Sequence, residues 1–364
     1  MKTVKEGHYM TAASKKFLAD LINSISPSGY EGPAAKVWKK EAEKFADRVW
    51  TDTHGSSHAV VNEGGGPRVM FAGHCDEIGF QVSYIDDQGF LWIQPIGGWD
   101  AQIATGQRVQ ILTQKGIIRG VIGKLAIHLQ TPEQRKKASE MKDLWVDIGA
   151  ADGKEAAKKV AIGDPAVVDY GFGELQNDIV VGRAFDNRSG AWVVLEAARQ
   201  LSKLKPKAEV HAVATSQEEI GLRGAKTATF GVDPQVGIAV DVTFATDHPH
   251  MGEIIKRENI IKLGGGPVLG RGPNMNPKLF DLLVKTAKAE KIPVQINAEP
   301  RGTGTDANAM QLSRASVPTC LVSIPLRYMH SPCELIHLKD IENCAKLIAK
   351  TVEKITPRTS FATF

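Results

Sequence analysis

Cysteine, long apolar runs and charge of one sign are all scarce in this sequence of 364 residues. The four cysteines, Cys75, Cys320, Cys333 and Cys344, show no close paired spacing, which argues against a disulfide-stapled secreted scaffold and favours a reducing cytoplasm. No stretch approaches the roughly 18 apolar residues of a membrane span, and residues 1–29 lack the apolar core of a signal peptide. The net charge is only +4 and is spread along the chain. We therefore expect a soluble cytoplasmic protein that binds neither membranes nor nucleic acid.

The composition is that of a globular protein, with 42% hydrophobic and 24% charged residues. Before about residue 78 and after about residue 170, strands alternate with helices, which predicts a mostly parallel mixed sheet with helices on both faces. Short β-branched runs separated by turns lie between these limits and predict a small all-β module. We therefore expect an α/β domain formed by residues 1–77 and 170–364, with residues 78–169 inserted into it. The module would offer exposed strand edges that a second copy could cover.

Apolar periodicity and capping residues also predict helices along the chain. The predicted helices cover residues 17–25, 33–45, 132–141, 154–160, 189–204, 277–291, 307–313 and 338–355.

Five apolar strands are followed directly by short polar motifs. Ligands of open α/β sheets bind beyond the carboxyl ends of the strands, so the five motifs should meet in one crevice. The motifs are AGHCDEIG at 72–79, GRAFDNRSG at 182–190, TSQEEIGLRGA at 215–225, VDVT at 240–243 and YMHSPCE at 328–334. The side chains that they would bring together are His74, Asp76, Asp186, Glu218, Glu219, Asp241 and His330.

Five carboxylates cannot all stay ionised at close range unless cations compensate their charge. The mixture of imidazole and carboxylate, without cysteine, suits Zn²⁺, Co²⁺ or Mn²⁺ in a hydrolytic site. The motifs therefore predict a metal-dependent hydrolase.

Spacing suggests different roles for neighbouring residues. His74 and Asp76 are two residues apart, so in an extended chain they share a face and Asp76 can orient the imidazole. Glu218 and Glu219 are adjacent and point in different directions, so one can bind metal while the other serves as general base. Two metals need a bridging carboxylate from a central strand end, and Asp186 is the candidate.

Simpler interpretations exist for several residues. The adjacent Glu218 and Glu219 could form a solvated acidic turn, although an apolar strand precedes them. Asp306 either caps the helix that follows it or reaches the site. His248 and His250 form an HxH pair without a third nearby ligand, which is more often solvated.

The motifs AGHCDEIG, RAFDNRSG, QEEIGLRGA, VDVT, GTGTDAN and MHSPCE, in this order, resemble the M42 family of dinuclear metallo-aminopeptidases of the TET or glutamyl-aminopeptidase type. The resemblance extends over nearly the whole chain and implies that the inserted module is a PDZ-like dimerisation domain. It also implies that subunits form a tetrahedral dodecamer that trims short peptides from their N-termini.

The same resemblance assigns roles to the site residues. It implies that Asp186 bridges two metals, His74 and Asp241 complete one site, and Glu219 and His330 complete the other. Glu218 would be the general base, and Asp76 would orient His74. The segments TDTHGSSH at 51–58 and FATDHPHMG at 244–252 depart from the family pattern, so the walls of the substrate site stay unassigned.

An aminopeptidase is therefore the leading functional hypothesis, and three alternatives remain. A related metal-dependent deacylase or carboxypeptidase could use the same ligands with a different pocket. A glycoside hydrolase would need two carboxyl groups flanking a sugar bond, about 5 to 9.5 Å apart. A metal-stabilised scaffold without catalysis would have no use for a spare glutamate beside its ligands.

Overall fold

The computed structural model describes residues 10–363. Residues 1–9 and 364 lie outside the described part, and with them the first nine residues of the amino-terminal stretch that we expected to lack an apolar core. Helices α1 to α11 span Ala12–Asn23, Gly32–Ala42, Ala101–Ala104, Pro132–Arg135, Gly153–Lys159, Phe185–Leu204, Arg223–Val232, Ile255–Glu258, Pro277–Ala289, Asp306–Met310 and Leu338–Val352. Strands β1 to β17 span Arg48–Thr51, Ser57–Val61, Arg68–His74, Gly79–Ile85, Leu91–Ile96, Arg108–Thr113, Gly116–Gly123, Trp145–Asp147, Pro165–Val168, Gly173–Glu174, Ile179–Gly182, Glu209–Thr215, Val236–Phe244, Val268–Arg271, Gln295–Ala298, Thr319–Leu326 and Glu334–His337.

An eight-stranded mixed sheet is the centre of the larger unit. Its strand order is β1-β2-β12-β3-β13-β16-β14-β15, and β12, β3, β13 and β16 run parallel to one another. Strands β3 and β16 are buried along almost their whole length. This burial agrees with their apolar sequences, because both faces of the sheet are covered there. Strands β10, β11 and β17 form a small separate sheet. The predicted α/β fold class is therefore confirmed.

The inserted module is a six-stranded antiparallel barrel with its own hydrophobic core. Strands β4, β5, β8, β7, β6 and β9 follow one another around it, and β9 pairs back onto β4. Phe80, Leu91 and Val109 are fully buried inside. The expectation of free strand edges is wrong, because closure pairs the strands all the way around.

Helices occur at all eight predicted positions, with ends that differ by up to six residues. The prediction for residues 132–141 is too long, since α4 ends at Arg135 and the stretch that follows is almost wholly exposed. Such a segment buries no apolar stripe that would stabilise further turns. Helices α3, α7 and α8 were not predicted from the sequence.

Close packing of α6 on β3 sets the position of the polar loops. Gly73 on β3 faces Gly190 on α6, and a β-carbon at Gly73 would lie 2.6 Å from the carbonyl carbon of Gly190. The approach therefore needs a glycine at position 73. The start of α6 is thereby held against the end of β3.

A buried ion network fastens the loop after β3. Arg188 and Arg183 both donate to the carboxylate of Glu77, at 2.6 to 2.7 Å. Arg188 is fully buried and also donates to five backbone carbonyl groups, those of Leu21, Ile22, Ser24, Ser26 and Cys75. The network joins the end of α1, the loop after β3 and the start of α6.

Candidate metal centre

The polar motifs lie together at one edge of the large sheet. Strand β3 ends at His74, β12 ends just before the turn that carries Glu218 and Glu219, and Asp241 lies in the last half of β13. Asp186 lies in the first turn of α6, where its backbone departs from helical angles. His330 lies in the loop between β16 and β17, with φ of 58°.

Asp186 lies between the two imidazoles. Its Oδ1 is 3.2 Å from Nε2 of His74, and its Oδ2 is 3.3 Å from Nε2 of His330. Nε2 of His74 is also 3.7 Å from Oε2 of Glu218 and 3.9 Å from Oδ1 of Asp241. One carboxylate is therefore placed to serve two neighbouring ligand groups.

Three groups of side chains in the described residues have ligand atoms close enough to hold a metal ion. One group is His74, Asp186 and Asp241, and a second is Asp186, Glu219 and His330. The two groups share Asp186, as expected for a bridging ligand. The third group is His74, Glu218 and Glu219, so Glu218 also lies within reach of a cation.

The protonation of the carboxyl groups shows how strongly the cluster depends on positive charge. Burial raises the pKa of Glu218 to about 10, because the loss of hydration outweighs the attraction of His74. Burial, with repulsion from Asp186, raises the pKa of Glu219 to about 8. Burial also opposes ionisation of Asp186, but hydrogen bonds with His330 and His74 lower its pKa below the ordinary value.

The donor set fits divalent metal ions. Nitrogen and oxygen donors of two histidines and several carboxylates suit Zn²⁺, Co²⁺ or Mn²⁺. Oε1 of Glu219 is buried and has no hydrogen-bond partner among the described residues. A buried carboxylate oxygen without a partner costs free energy, which a bound cation would recover.

Asp76 orients the imidazole of His74, as its spacing suggested, and also the turn that carries the two glutamates. The Nδ1 atom of His74 lies 3.2 Å from the carbonyl oxygen of Asp76 and 3.4 Å from its Oδ1. The carboxylate also accepts hydrogen bonds from the backbone N–H groups of Glu218 and Glu219, at 3.1 and 3.2 Å. Ser28 donates a further hydrogen bond to it. Asp76 therefore holds both His74 and the glutamate turn.

Several residues that contact the site were missed in the sequence. Glu334 accepts hydrogen bonds from the backbone N–H groups of Asp186 and His330, both at 3.0 Å. Asn187 donates to the carbonyl of Val240, which precedes Asp241. Glu334 belongs to the motif YMHSPCE, so its position there was the available signal. Gly98 of the barrel accepts a hydrogen bond from Nδ1 of His330 at 2.8 Å, and nothing in its sequence context pointed to this contact.

Asp306 is buried beside the centre and does not cap its helix. Thr305 occupies the N-cap position of α10, and Thr215 donates a hydrogen bond to Oδ2 of Asp306. Burial raises the pKa of Asp306 to about 6, and its Oδ1 has no hydrogen-bond partner among the described residues.

The remaining sequence candidates lie outside the cluster. His248 and His250 belong to none of the three ligand groups, and His248 instead packs near Tyr328, with ring centroids 6.0 Å apart. Cys75, which lies between His74 and Asp76, is fully buried.

Comparison with known proteins gives consistent results. Residues 55–347 match the profile of the M42 glutamyl aminopeptidases. The lysyl aminopeptidase of Pyrococcus furiosus is 38% identical over 345 residues, which cover 94% of this chain and 97% of that protein.

Solved structures are also similar. A TET aminopeptidase from the marine sediment archaeon Thaumarchaeota archaeon SCGC AB-539-E09 has a TM-score of 0.89 and 36% identity, covering 95% of this chain and 98% of that one. The TET1 peptidase of Pyrococcus horikoshii, described as assembling into a tetrahedron or a large octahedral shell, has a TM-score of 0.84 and 31% identity, covering 94% and 100%. By sequence and by architecture, the chain belongs to the M42 glutamyl aminopeptidase family of peptide-bond hydrolases.

Proposed function

We propose that this aminopeptidase removes N-terminal residues from short unfolded peptides with the help of two divalent metal ions per subunit. Zn²⁺ is the first choice of metal, with Co²⁺ and Mn²⁺ as alternatives. The observation that carries the proposal is the pair of ligand groups that share Asp186. His74 and Asp241 would complete one metal site, and Glu219 and His330 would complete the other.

The reaction chemistry assigns Glu218 the role of general base. The two ions, when bound, would polarise the scissile carbonyl and lower the pKa of the attacking water. Glu218 belongs to neither of the two groups that share Asp186, so its carboxylate is free to accept the proton of the water. It would then pass this proton to the departing amine. Asp76 would act as a positioning residue, because it holds His74 and the backbone of Glu218.

Asp306 is proposed to act through the electrostatics of the site. Its carboxyl group lies close enough to raise the pKa values of Glu218 and Asp241, after the larger effect of burial. Its hydrogen bond from Thr215 fixes it at the end of β12, directly before the glutamate turn. The alternative role that we propose for Asp306 is direct contact with the substrate.

The substrate assignment rests on charge. A free α-amino group is a cation, and a crevice rich in carboxylates favours a cation even after two metals neutralise most of the charge. We propose that unblocked short peptides are cut stepwise from the N-terminus, whereas N-acetylated peptides, folded proteins and cellulose-like polysaccharides are not.

The substrate proposal is tested by mass spectrometry of one peptide and its N-acetylated twin after incubation with the metal-loaded protein. Stepwise loss of residues from the free peptide alone is the expected result. Equal cleavage of both peptides would indicate an endopeptidase or a deacylase, and loss of C-terminal residues would indicate a carboxypeptidase. Release of reducing sugars from carboxymethylcellulose would indicate a glycoside hydrolase.

We propose that residues 1–77 and 170–364 form the catalytic domain and that the inserted domain, residues 78–169, mediates assembly into a homododecamer. The support is a row of exposed apolar side chains on the barrel, from β7 to the segment after it: Ile117, Val121, Leu125, Ile127 and Leu129. Exposed apolar clusters of this kind are typical of protein interfaces. The Pyrococcus horikoshii relative is itself described as assembling into a tetrahedron or a large octahedral shell.

The cellular location is proposed to be the cytoplasm. All four cysteines are free, and three of them are buried. Thiols that stay unpaired fit a reducing compartment. None of the helices in residues 10–363 is both long enough and apolar enough to cross a membrane.

A further inference from the structure

A turn of the inserted barrel lies directly on the metal centre. Gly97 and Gly98 follow the last residue of β5, and the carbonyl oxygen of Gly98 accepts a hydrogen bond from Nδ1 of His330 at 2.8 Å. The two residues are 232 positions apart in the sequence. The barrel otherwise has a hydrophobic core separate from that of the large sheet.

This hydrogen bond determines which nitrogen of His330 is available to a metal. A carbonyl oxygen can only accept, so Nδ1 must carry the proton. In the neutral imidazole the lone pair is then on Nε2, which faces Oδ2 of Asp186 at 3.3 Å and Oε2 of Glu219 at 3.6 Å. The Gly98 carbonyl thus selects the tautomer and the ring orientation that metal ligation requires.

A side chain at either residue of the turn would crowd one of the proposed ligands. A β-carbon at Gly98 would lie 3.1 Å from Nδ1 of His330, and one at Gly97 would lie 3.3 Å from Oε2 of Glu219. Gly97 also has φ of 75°, which side chains rarely adopt, and its β-carbon would meet Ile78 at 2.6 Å. The turn therefore lies beside Glu219 and His330, the two ligands of the second metal group that the first group does not share.

The turn is fastened to the barrel on each side. Ile96 pairs with Gly79 in the barrel ladder, and Trp99 stacks on the buried ring of Phe80 with centroids 4.6 Å apart. Asp100 caps α3 by accepting a hydrogen bond from the backbone of Gln102 at 2.8 Å. Movement of the barrel relative to the sheet would consequently move the Gly98 carbonyl.

The two histidines of the centre are held in different ways. His74 is oriented by Asp76 from its own loop. We propose that the Gly97–Gly98 turn of the inserted barrel is a positioning element of the second metal site, formed by Asp186, Glu219 and His330, and that the metal affinity of this site depends on the placement of the barrel. The inference rests on the proposed metal ligands, and it concerns the second site and not the first.

The test compares Gly98→Val and Gly98→Ala with Gly252→Val in the full-length chain. Gly98 does not have a positive φ, so the backbone accepts a side chain there and the effect arises from contact with His330. Gly252 also lacks a positive φ, and its β-carbon would meet no atom within 4 Å. Gly98→Ala serves if the larger valine prevents folding, which circular dichroism would reveal.

Zinc binding is measured by titration calorimetry and by the metal content after dialysis. We expect one of the two dissociation constants, the one that is lost in His330→Ala, to rise about 10- to 100-fold in the Gly98 variants, with the other unchanged, as is typical for loss of a partner that orients a ligand. Gly252→Val should bind like the unaltered chain. Unchanged binding in both Gly98 variants, or equal weakening of both sites, would overturn the inference.

His330→Ala separates this inference from the metal assignment on which it rests. Loss of one ion in His330→Ala, together with unaltered binding in the Gly98 variants, would refute only the role of the turn. Retention of both ions in His330→Ala would refute the assignment of His330 as a ligand.

Discussion

At the scale of single residues, the two adjacent glutamates differ in what surrounds them. Glu219 belongs to the ligand group with Asp186 and His330, whereas Glu218 lies closest to His74. Glu218→Gln should therefore retain both metals and lower kcat by about 10²- to 10⁴-fold, the range for loss of a general base. The measurement is kcat on an aminoacyl chromogenic substrate together with metal content.

Glu219→Gln provides the comparison for this prediction. It should lose the second metal, because the amide replaces a carboxylate ligand. Loss of metal in Glu218→Gln instead would mean that the roles of the two glutamates are exchanged. Such an exchange would agree with the third ligand group, in which Glu218 lies within reach of a cation beside His74.

At the scale of elements, the buried arginine of α6 ties the helix to its neighbours. Replacing Arg188 with methionine would leave the Glu77 carboxylate with Arg183 as its only guanidinium partner and strand several buried carbonyl oxygens. We expect the free energy of unfolding to fall by about 3 to 5 kcal/mol, measured by urea denaturation.

Arg199→Met is the matched control on the same helix. Arg199 pairs with Glu41 and Glu196 near the surface, with 21% of its side chain exposed. Its loss should cost about 1 kcal/mol or less. Equal decreases in the free energy of unfolding of the two variants would show that the buried network stabilises the fold no more than the surface ion pairs of Arg199 do.

A buried aspartate at the start of α11, Asp340, should make the stability of the fold depend on pH. Asp340 accepts hydrogen bonds from the N–H groups of Gly264 and Gly266, at 2.7 and 2.8 Å, and burial raises its pKa from 3.8 to about 7. Between about pH 4 and 7 the folded chain holds this proton while the unfolded chain has released it. The free energy of unfolding therefore falls as pH rises through this range, by up to about 1.4 kcal/mol per pH unit.

Asp340→Asn should make that decline shallower, because the amide does not titrate. The measurement is the slope of unfolding free energy against pH between 5 and 7, compared with Asp281→Asn on the exposed face of α9. A slope that is the same in Asp340→Asn and in the unaltered chain would contradict the prediction.

At the scale of the whole molecule, the proposed dodecamer has a measurable mass. Twelve chains of 39.4 kDa give about 470 kDa, which light scattering after size exclusion should detect at micromolar concentration. The double variant Ile127→Glu, Leu129→Glu should yield smaller species, because charges on an apolar interface cost desolvation.

Ile162→Glu is the control for the assembly prediction. Ile162 is equally exposed on the barrel but lies outside the apolar row that begins on β7. This variant should retain the full mass. A monomeric unaltered chain would contradict the assembly proposal itself.

Local patterns determined much of the fold and of the candidate site. Alternation of apolar strands with periodic helices predicted the mixed sheet, and polar motifs after strands predicted that His74, Asp186 and His330 would meet. For His74 and His330 the prediction succeeds because β3 and β16 run parallel, and the carboxyl ends of parallel strands lie at one edge of a sheet. Asp186 instead follows β11 of the small antiparallel sheet and reaches the same edge at the start of α6. Hydrophobic periodicity is a poorer guide to short helices that bury no apolar face. The predicted helix at 132–141 is therefore longer than α4, which has no buried residues.

Tertiary structure alone decided the closure of the barrel and the contacts around the ligands. Nothing in a short β-strand states which partner it will pair with, so the pairing of β9 with β4 could not be deduced from the pattern. The same holds for Glu334, which binds two backbone N–H groups, and for Gly98, which reaches His330 across 232 residues of sequence. A sequence determines which side chains can act as ligands, whereas the backbone groups that orient them come together only when the chain has packed.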